Sequence, residues 1–220
     1  MTPPRAKRKD RLVSLVVSNC GKKDKNGRLR YMKELGKHVF IHSFGQCLNN
    51  AKASDYMDEP MPDSHERMRK RNRSLQDVLR NCREKMELIR TFKFHLALEN
   101  SDTPDYVTEK FGIALAAGTV PIVKSRKNNY HLFAPHPHSY VVAEDFASPK
   151  ALADYLSYLN NHDDEYDEYL EWKRVQEGKH EKLRYFLASG RPLSGLLRVV
   201  GAQQPPQRVP SVPTVSNNQQ

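Results

Sequence analysis

Glu109 and Lys110 set a carboxylate and an ammonium side by side, and Tyr106 lies about one helical turn before them. The carboxylate can accept hydrogen bonds from sugar hydroxyls, the ammonium can meet phosphates, and the ring can pack on a ribose or base. Such a set suits a phosphorylated, hydroxyl-bearing ligand. Asn100 stands upstream at the exit of an apolar alternation, and Arg28 follows a glycine-bearing polar loop. A guanidinium can bind two phosphate oxygens at once. The plainer alternatives are a Glu–Lys pair on a solvated helix face and an ordinary surface arginine, with Arg30 or Lys22 as the contact in a different register.

The elements that must position these groups read as a βαβ unit. Phe92, Phe94, Leu96 and Leu98 alternate as in a strand with one buried face, and Glu99 and Asn100 sit at its exit. Residues 101–105, with Pro104 and two aspartates, predict a turn, and Asp105 an N-cap for a helix beginning at Tyr106. In that helix Val107, Phe111, Ala114 and Leu115 form a buried stripe, and Tyr106, Glu109, Lys110 and Ile113 the stripe beside it. Gly118 can close the helix in the left-handed conformation before a second, parallel strand over 119–123. Helix N-termini attract anions, and ligands of open α/β sheets bind beyond the strands' carboxyl ends.

Upstream, a strand over 12–17, a helix from about 28 to 37 and a strand over 39–44 predict a first βαβ unit. A long loop over 51–74 carries Pro60 and Pro62, and a helix over roughly 75–90 leads into the second unit. Beyond Pro149, Leu152, Tyr155, Leu156 and Leu159 predict one amphipathic helix, and Tyr166, Tyr169, Leu170 and Trp172 another. The organisation expected is a basic arm over 1–11, an α/β domain over 12–187 and a disordered tail over 188–220.

The wording of these segments adds more. ENSDTPDYVTEKFGIALAAGTVPIV (99–123) resembles the hallmark of the α1,3-fucosyltransferases, glycosyltransferase family 10. Residues 145–173 look like that family's paired-helix segment and 16–47 like its first βαβ unit, so the resemblance covers most of 11–175. It implies a Rossmann-like parallel sheet with flanking helices, the C-terminal half of a GT-B glycosyltransferase. It further implies GDP-fucose as donor substrate, no required cofactor, and a divalent cation as a stimulant at most. Arg28 matches the family's pyrophosphate-contacting arginine. Lys110 and Arg28 would stabilise the departing diphosphate, while Asn100, Tyr106 and Glu109 would hold nucleotide and fucose. The acceptor is expected to be a glycan or glycoprotein, attacked with inversion. The catalytic base and the membrane anchor are expected in an N-terminal part absent from this chain, and the compartment in the Golgi. Two departures bear on the donor pocket: Phe111-Gly112-Ile113 after the Glu–Lys pair, and KSRKNNY at 124–130, where the family usually has a glycine.

Charge and cysteines bound the alternatives. A formal net charge of +10 over 220 residues suits a nucleic-acid binder. The basic residues, however, gather at the N-terminus and in runs such as 67–74 without interleaved aromatics, so a solvated linker is the simpler reading and no nucleic-acid partner is expected. A donor-binding protein without turnover is the nearer alternative to a transferase. There is no G-x-x-x-x-G-K-[ST], no G-x-G-x-x-G and no Asp-x-Asp. His136 and His138 lack a nearby cysteine or carboxylate, so they read as a proline-rich surface loop and no metal site is expected. Cys20 and Cys47 each follow a strand of the first unit, where adjacent parallel strands bring their ends within disulfide reach, leaving Cys82 unpaired. Two free thiols in a cytosolic protein are the alternative. Asn72-Arg73-Ser74 is a glycosylation sequon, and no window approaches the roughly 20 apolar residues of a spanning helix.

Overall fold

The computed structural model describes residues 6–20, 26–57 and 75–175, with 75–81 by backbone alone. The expected disordered tail, the sequon, the basic run 67–74, Lys22 and the first five residues of the arm lie outside the described residues. Five strands form one sheet: β1 (Val13–Leu15), β2 (Ile41–Ser43), β3 (Phe94–Leu96), β4 (Val120–Val123) and β5 (Val141–Val142). The helices are α1 (Arg28–Leu35), α2 (Leu75–Ile89), α3 (Glu109–Ala117), α4 (Pro149–Asn161), α5 (Asp163–Glu168) and α6 (Glu171–Val175). The order is β2-β1-β3-β4-β5 and every pairing is parallel, with Val13 opposite both Ile41 and Phe94, and Phe94 opposite Val120.

Strand periodicity divides the core. Val13, Leu15, Val17, Phe94, Leu96 and Leu98 pack with Met32 and Leu35 of α1 and with Leu152, Leu156 and Leu159 of α4. Residues of opposite phase meet the other layer: Val16 and Phe44 pack on Leu88 and Ile89 of α2 and on Ile113 and Ala114 of α3, and Ala97 packs on Phe111. Residues 92–99 are therefore buried on both faces, not on the single face expected, because helices cover both sides of a parallel sheet. Deleting a ring such as Phe94 from this core costs about 3–5 kcal/mol.

Lys93 lies within that buried run. It is 1% exposed, and its ammonium donates to the carbonyls of Leu159 (3.1 Å) and Asn160 (3.2 Å) and to Asp163 Oδ1 (2.5 Å). It thereby caps the end of α4, where unpaired carbonyls attract a cation.

The strand exits of the first unit are drawn together. Cys47 N–H donates to Val17 O at 2.9 Å, and a Cβ on Gly45 would meet that oxygen at 2.1 Å, so only glycine fits. Cys20 and Cys47 are joined by a disulfide, with Cα atoms 5.2 Å apart, and Cys82 is free.

Two further expectations are corrected. The predicted helix at Tyr106 begins at Glu109, with Thr108 at its N-cap, because Asp105 has φ of 60° and turns the chain instead of starting the helix. The predicted second C-terminal helix is two short ones, α5 and α6, although Tyr166, Tyr169, Leu170 and Trp172 are all buried as their spacing suggested. The β5 strand, two residues long, gave no periodic signal.

Candidate functional site

A cavity of about 240 Å³ opens above the carboxyl ends of β1 and β3. These strands are neighbours in the sheet, yet α1 leaves β1 for one face and α3 leaves β3 for the other. Such a topological switch point leaves a crevice for ligand. Arg28, Asn100, Tyr106, Glu109 and Lys110, the residues predicted to form a site, all line it.

Arg28 is the first residue of α1, placed there by Gly27 at φ of 69°. It is 2% exposed, and its guanidinium donates to Leu98 O (3.0 Å) beyond β3 and to Asn19 O (3.5 Å) beyond β1. One side chain thus clamps the two strand exits between which the cavity lies, and presents positive charge to it.

Glu99, buried behind Asn100, organises the opposite wall. Thr108 donates its N–H (2.8 Å) and its hydroxyl (2.7 Å) to Glu99 Oε1, and Lys110 donates to Glu99 Oε2 at 2.9 Å and to the Thr108 hydroxyl oxygen at 2.8 Å. The carboxylate therefore occupies the N-terminus of α3, so the anion expected at that helix end is supplied by the protein itself. Burial alone would lower the Lys110 pKa, but Glu99 and Glu109 hold it above the ordinary lysine value. Burial likewise pushes Glu109 up, and Lys110 and Lys85 outweigh it, leaving this partly exposed carboxylate below its ordinary value and ionised at neutral pH.

The loop carrying Asn100 and Tyr106 is braced from below. Asn128, 1% exposed, donates to the carbonyls of Ser101 (3.0 Å), Thr103 (3.3 Å) and Tyr106 (2.8 Å). Asp102 accepts from Asn26 (2.6 Å) and Lys124 (2.7 Å), tying the approach to α1 to the exits of β3 and β4. Lys124 and Asn128 belong to the segment that departs from the resembled pattern, and there they support the site.

Sequence reasoning missed Lys85 and His95, which also line the cavity. His95 is opposite in phase to Phe94 and Leu96, so it faces the α2–α3 side. That phase was the available signal. Its Nδ1 lies 2.9 Å from Ser14 Oγ, whose hydroxyl donates to Phe94 O at 3.1 Å. The proton is therefore assigned to Nδ1, leaving Nε2 as an acceptor. Burial first, then Lys85 and Lys110, lower its pKa to about 3. His138, weighed above as a ligand, instead lies against Tyr169 with ring centroids 3.9 Å apart. Among the described residues no group of three His, Cys, Asp or Glu side chains is placed to hold a metal.

Known proteins bear on this arrangement. The family model described as Glycosyltransferase family 10 (fucosyltransferase) C-term matches residues 6–191. The chain is 37% identical over 171 residues to Glycoprotein 3-alpha-L-fucosyltransferase A of Drosophila melanogaster, covering 77% of this chain and 29% of that protein. It is 32% identical over 165 residues to GDP-fucose protein O-fucosyltransferase 3 of Danio rerio, covering 75% and 32%. A solved alpha1,3-fucosyltransferase aligns with a TM-score of 0.48 at 22% identity over 74% of this chain and 38% of its own. The chain spans about a third of the length of the curated relatives it matches. By the match over 6–191, the chain belongs to glycosyltransferase family 10, the fucosyltransferases.

Proposed function

We propose that the cavity is the donor site of an α1,3-type fucosyltransferase, that it binds GDP-fucose, and that the chain is the donor-binding half of a GT-B enzyme. One observation carries this reading: Arg28, Asn100, Tyr106, Glu109 and Lys110 come from two βαβ units some 70–80 residues apart and converge on one switch-point crevice. The chemistry follows from their types. Arg28 and Lys110 face the diphosphate, Tyr106 packs on ribose or base, and Asn100 and ionised Glu109 hydrogen-bond hydroxyls. Transfer proceeds with inversion: a glycan or glycoprotein hydroxyl, deprotonated by a carboxylate of the acceptor-binding half, attacks the fucose anomeric carbon. The C–O bond to the β-phosphate breaks, and its electron pair stays on GDP.

The cavity measured within the described residues is smaller than the roughly 300–1,000 Å³ of most ligand pockets, as expected if part of the wall comes from that other half. Donor binding on this reading rests on side chains, with a divalent cation as a stimulant. The disulfide suits an oxidising compartment, here assigned to the Golgi lumen. No helix among the described residues is long and apolar enough to cross a membrane.

Calorimetric titration with GDP and GDP-fucose tests the reading. Saturable binding is expected, weakened at least tenfold by Arg28→Met, since a charge-assisted contact is worth about 1.5–3 kcal/mol. Absence of saturable binding, or equal affinity for UDP and GDP, would overturn it.

A further inference from the structure

The geometry points to Lys85 as a diphosphate-binding residue of the cavity, a third cation beside Arg28 and Lys110. This rests on the donor-site reading and deepens it.

Arg28 and Lys110 are the cations that sequence analysis assigned to the site, but two carboxylates accompany them. Glu99 pairs with Lys110 at 2.9 Å, and Glu109 lies 3.7 Å from the same ammonium. Two positive charges against two negative ones leave the set with no net charge. A sugar diphosphate carries two negative charges, and its cleavage to a nucleoside diphosphate adds a third. Lys85 turns the balance of the cavity to +1.

Local structure gives this ammonium no other partner among the described residues. On a helix, a lysine commonly pairs with a carboxylate three or four residues away. Lys85 has Asn81, Cys82, Leu88 and Ile89 at those positions, whereas Arg90, just past the end of that helix, pairs with Glu87 at 2.7 Å. Among the described residues Lys85 makes no hydrogen bond or ion pair. It is half-buried and lines the cavity from α2, which packs on α3 through Leu88, Ile89, Ile113 and Ala114. Its field reaches both Glu109 and His95, whose pKa values it lowers. A half-buried ammonium that lines a crevice and has no partner among the described residues is arranged for an anion that arrives from solution. As the bond to fucose breaks, the electron pair left on the β-phosphate oxygen strengthens that contact, so the residue favours the product side of the step.

The test is calorimetry of the full chain and its Lys85→Met and Lys85→Arg variants with three probes: GDP, GMP and inorganic pyrophosphate. Thermal melting verifies folding. Lys85→Met is expected to lose about tenfold or more in affinity for GDP and pyrophosphate and less than threefold for GMP, with Lys85→Arg recovering most of the loss. Unchanged GDP and pyrophosphate affinities in Lys85→Met would overturn the assignment while leaving the donor-site reading in place. An equal loss for all three probes would also overturn it, by showing a diffuse field in place of a diphosphate contact. If the unmodified chain binds pyrophosphate but not GDP, the donor-site reading falls, and Lys85 stands or falls on the pyrophosphate comparison. Binding of neither probe overturns both.

Discussion

Replacing Lys110 by Met should weaken both the fold and the site, and the two losses can be separated. The side chain of Glu99 is 1% exposed, while that of Lys110 is 22% exposed. Among the described residues, removing the ammonium leaves a buried carboxylate facing only the N–H and hydroxyl of Thr108. Breaking one half of a buried ion pair costs about 3–5 kcal/mol, and solvent access at Lys110 favours the lower end. A loss of about 3 kcal/mol corresponds to a fall in melting temperature of roughly 6–12 °C for a domain of this size. GDP affinity should fall at least tenfold in the same variant.

Glu99→Gln combined with Lys110→Met removes the stranded charge while keeping an acceptor for Thr108, so stability should return to within about 1 kcal/mol of the unmodified chain. If Lys110 touches phosphate, GDP affinity stays low in the double variant. If Lys110 serves only to hold the loop, affinity returns with stability. Urea unfolding and calorimetry on the three variants read both quantities. A cost under about 1 kcal/mol for Lys110→Met, with unchanged GDP affinity, would refute the account of this wall.

Three further outcomes follow from the same geometry. Peptide mapping without reductant should recover Cys20 linked to Cys47, and reduction should cost about 3–4 kcal/mol for a bridge spanning 27 positions, whereas full alkylation of both thiols before reduction would show the bond absent. His95, whose pKa falls to about 3 on folding, is protonated first in the unfolded chain, so stability is full above about pH 6.5 and declines as pH falls toward 3. Between pH 8 and pH 5 this loss is about 2 kcal/mol, and His95→Gln should flatten it; an unchanged pH profile in that variant would assign the effect elsewhere. Lastly, the purified chain given radiolabelled GDP-fucose and GlcNAc-terminated acceptors should transfer at least about a hundredfold more slowly than a two-domain family member, since a positioned base alone supplies about 10²–10⁴ in rate. Turnover within tenfold would place the base inside these residues.

Much of the site was legible because periodicity and order both carry through to the structure. The stripe Tyr106, Glu109, Lys110 and Ile113 lines the cavity even though Tyr106 precedes the helix. Gly118 closes α3 at φ of 69°, as its place before a β-branched run suggested. The start of α3 was not legible, because local capping preference pointed to Asp105 while a carboxylate nine residues upstream of Thr108 decides the matter. Lys85 was hidden for a similar reason: its place at the cavity depends on where α2 packs, and nothing in its own helix distinguishes it from a solvated lysine. Asn128, in a segment without periodic signal, becomes a brace only once β4 lies beside β3.

The crevice between β1 and β3 has a consequence for how such a chain can change over generations. It arises from the direction in which two connections leave the sheet, not from a hollow cut into packed side chains, so altering Asn100 or Tyr106 asks little of the apolar layers beneath. Foldability and ligand choice are therefore largely separate inheritances in this architecture. A lineage can explore new ligands by varying the rim while keeping the frame. Glu99 is where the two are bound together, because the same carboxylate starts a helix and holds a cation of the rim. Variation should stall there first.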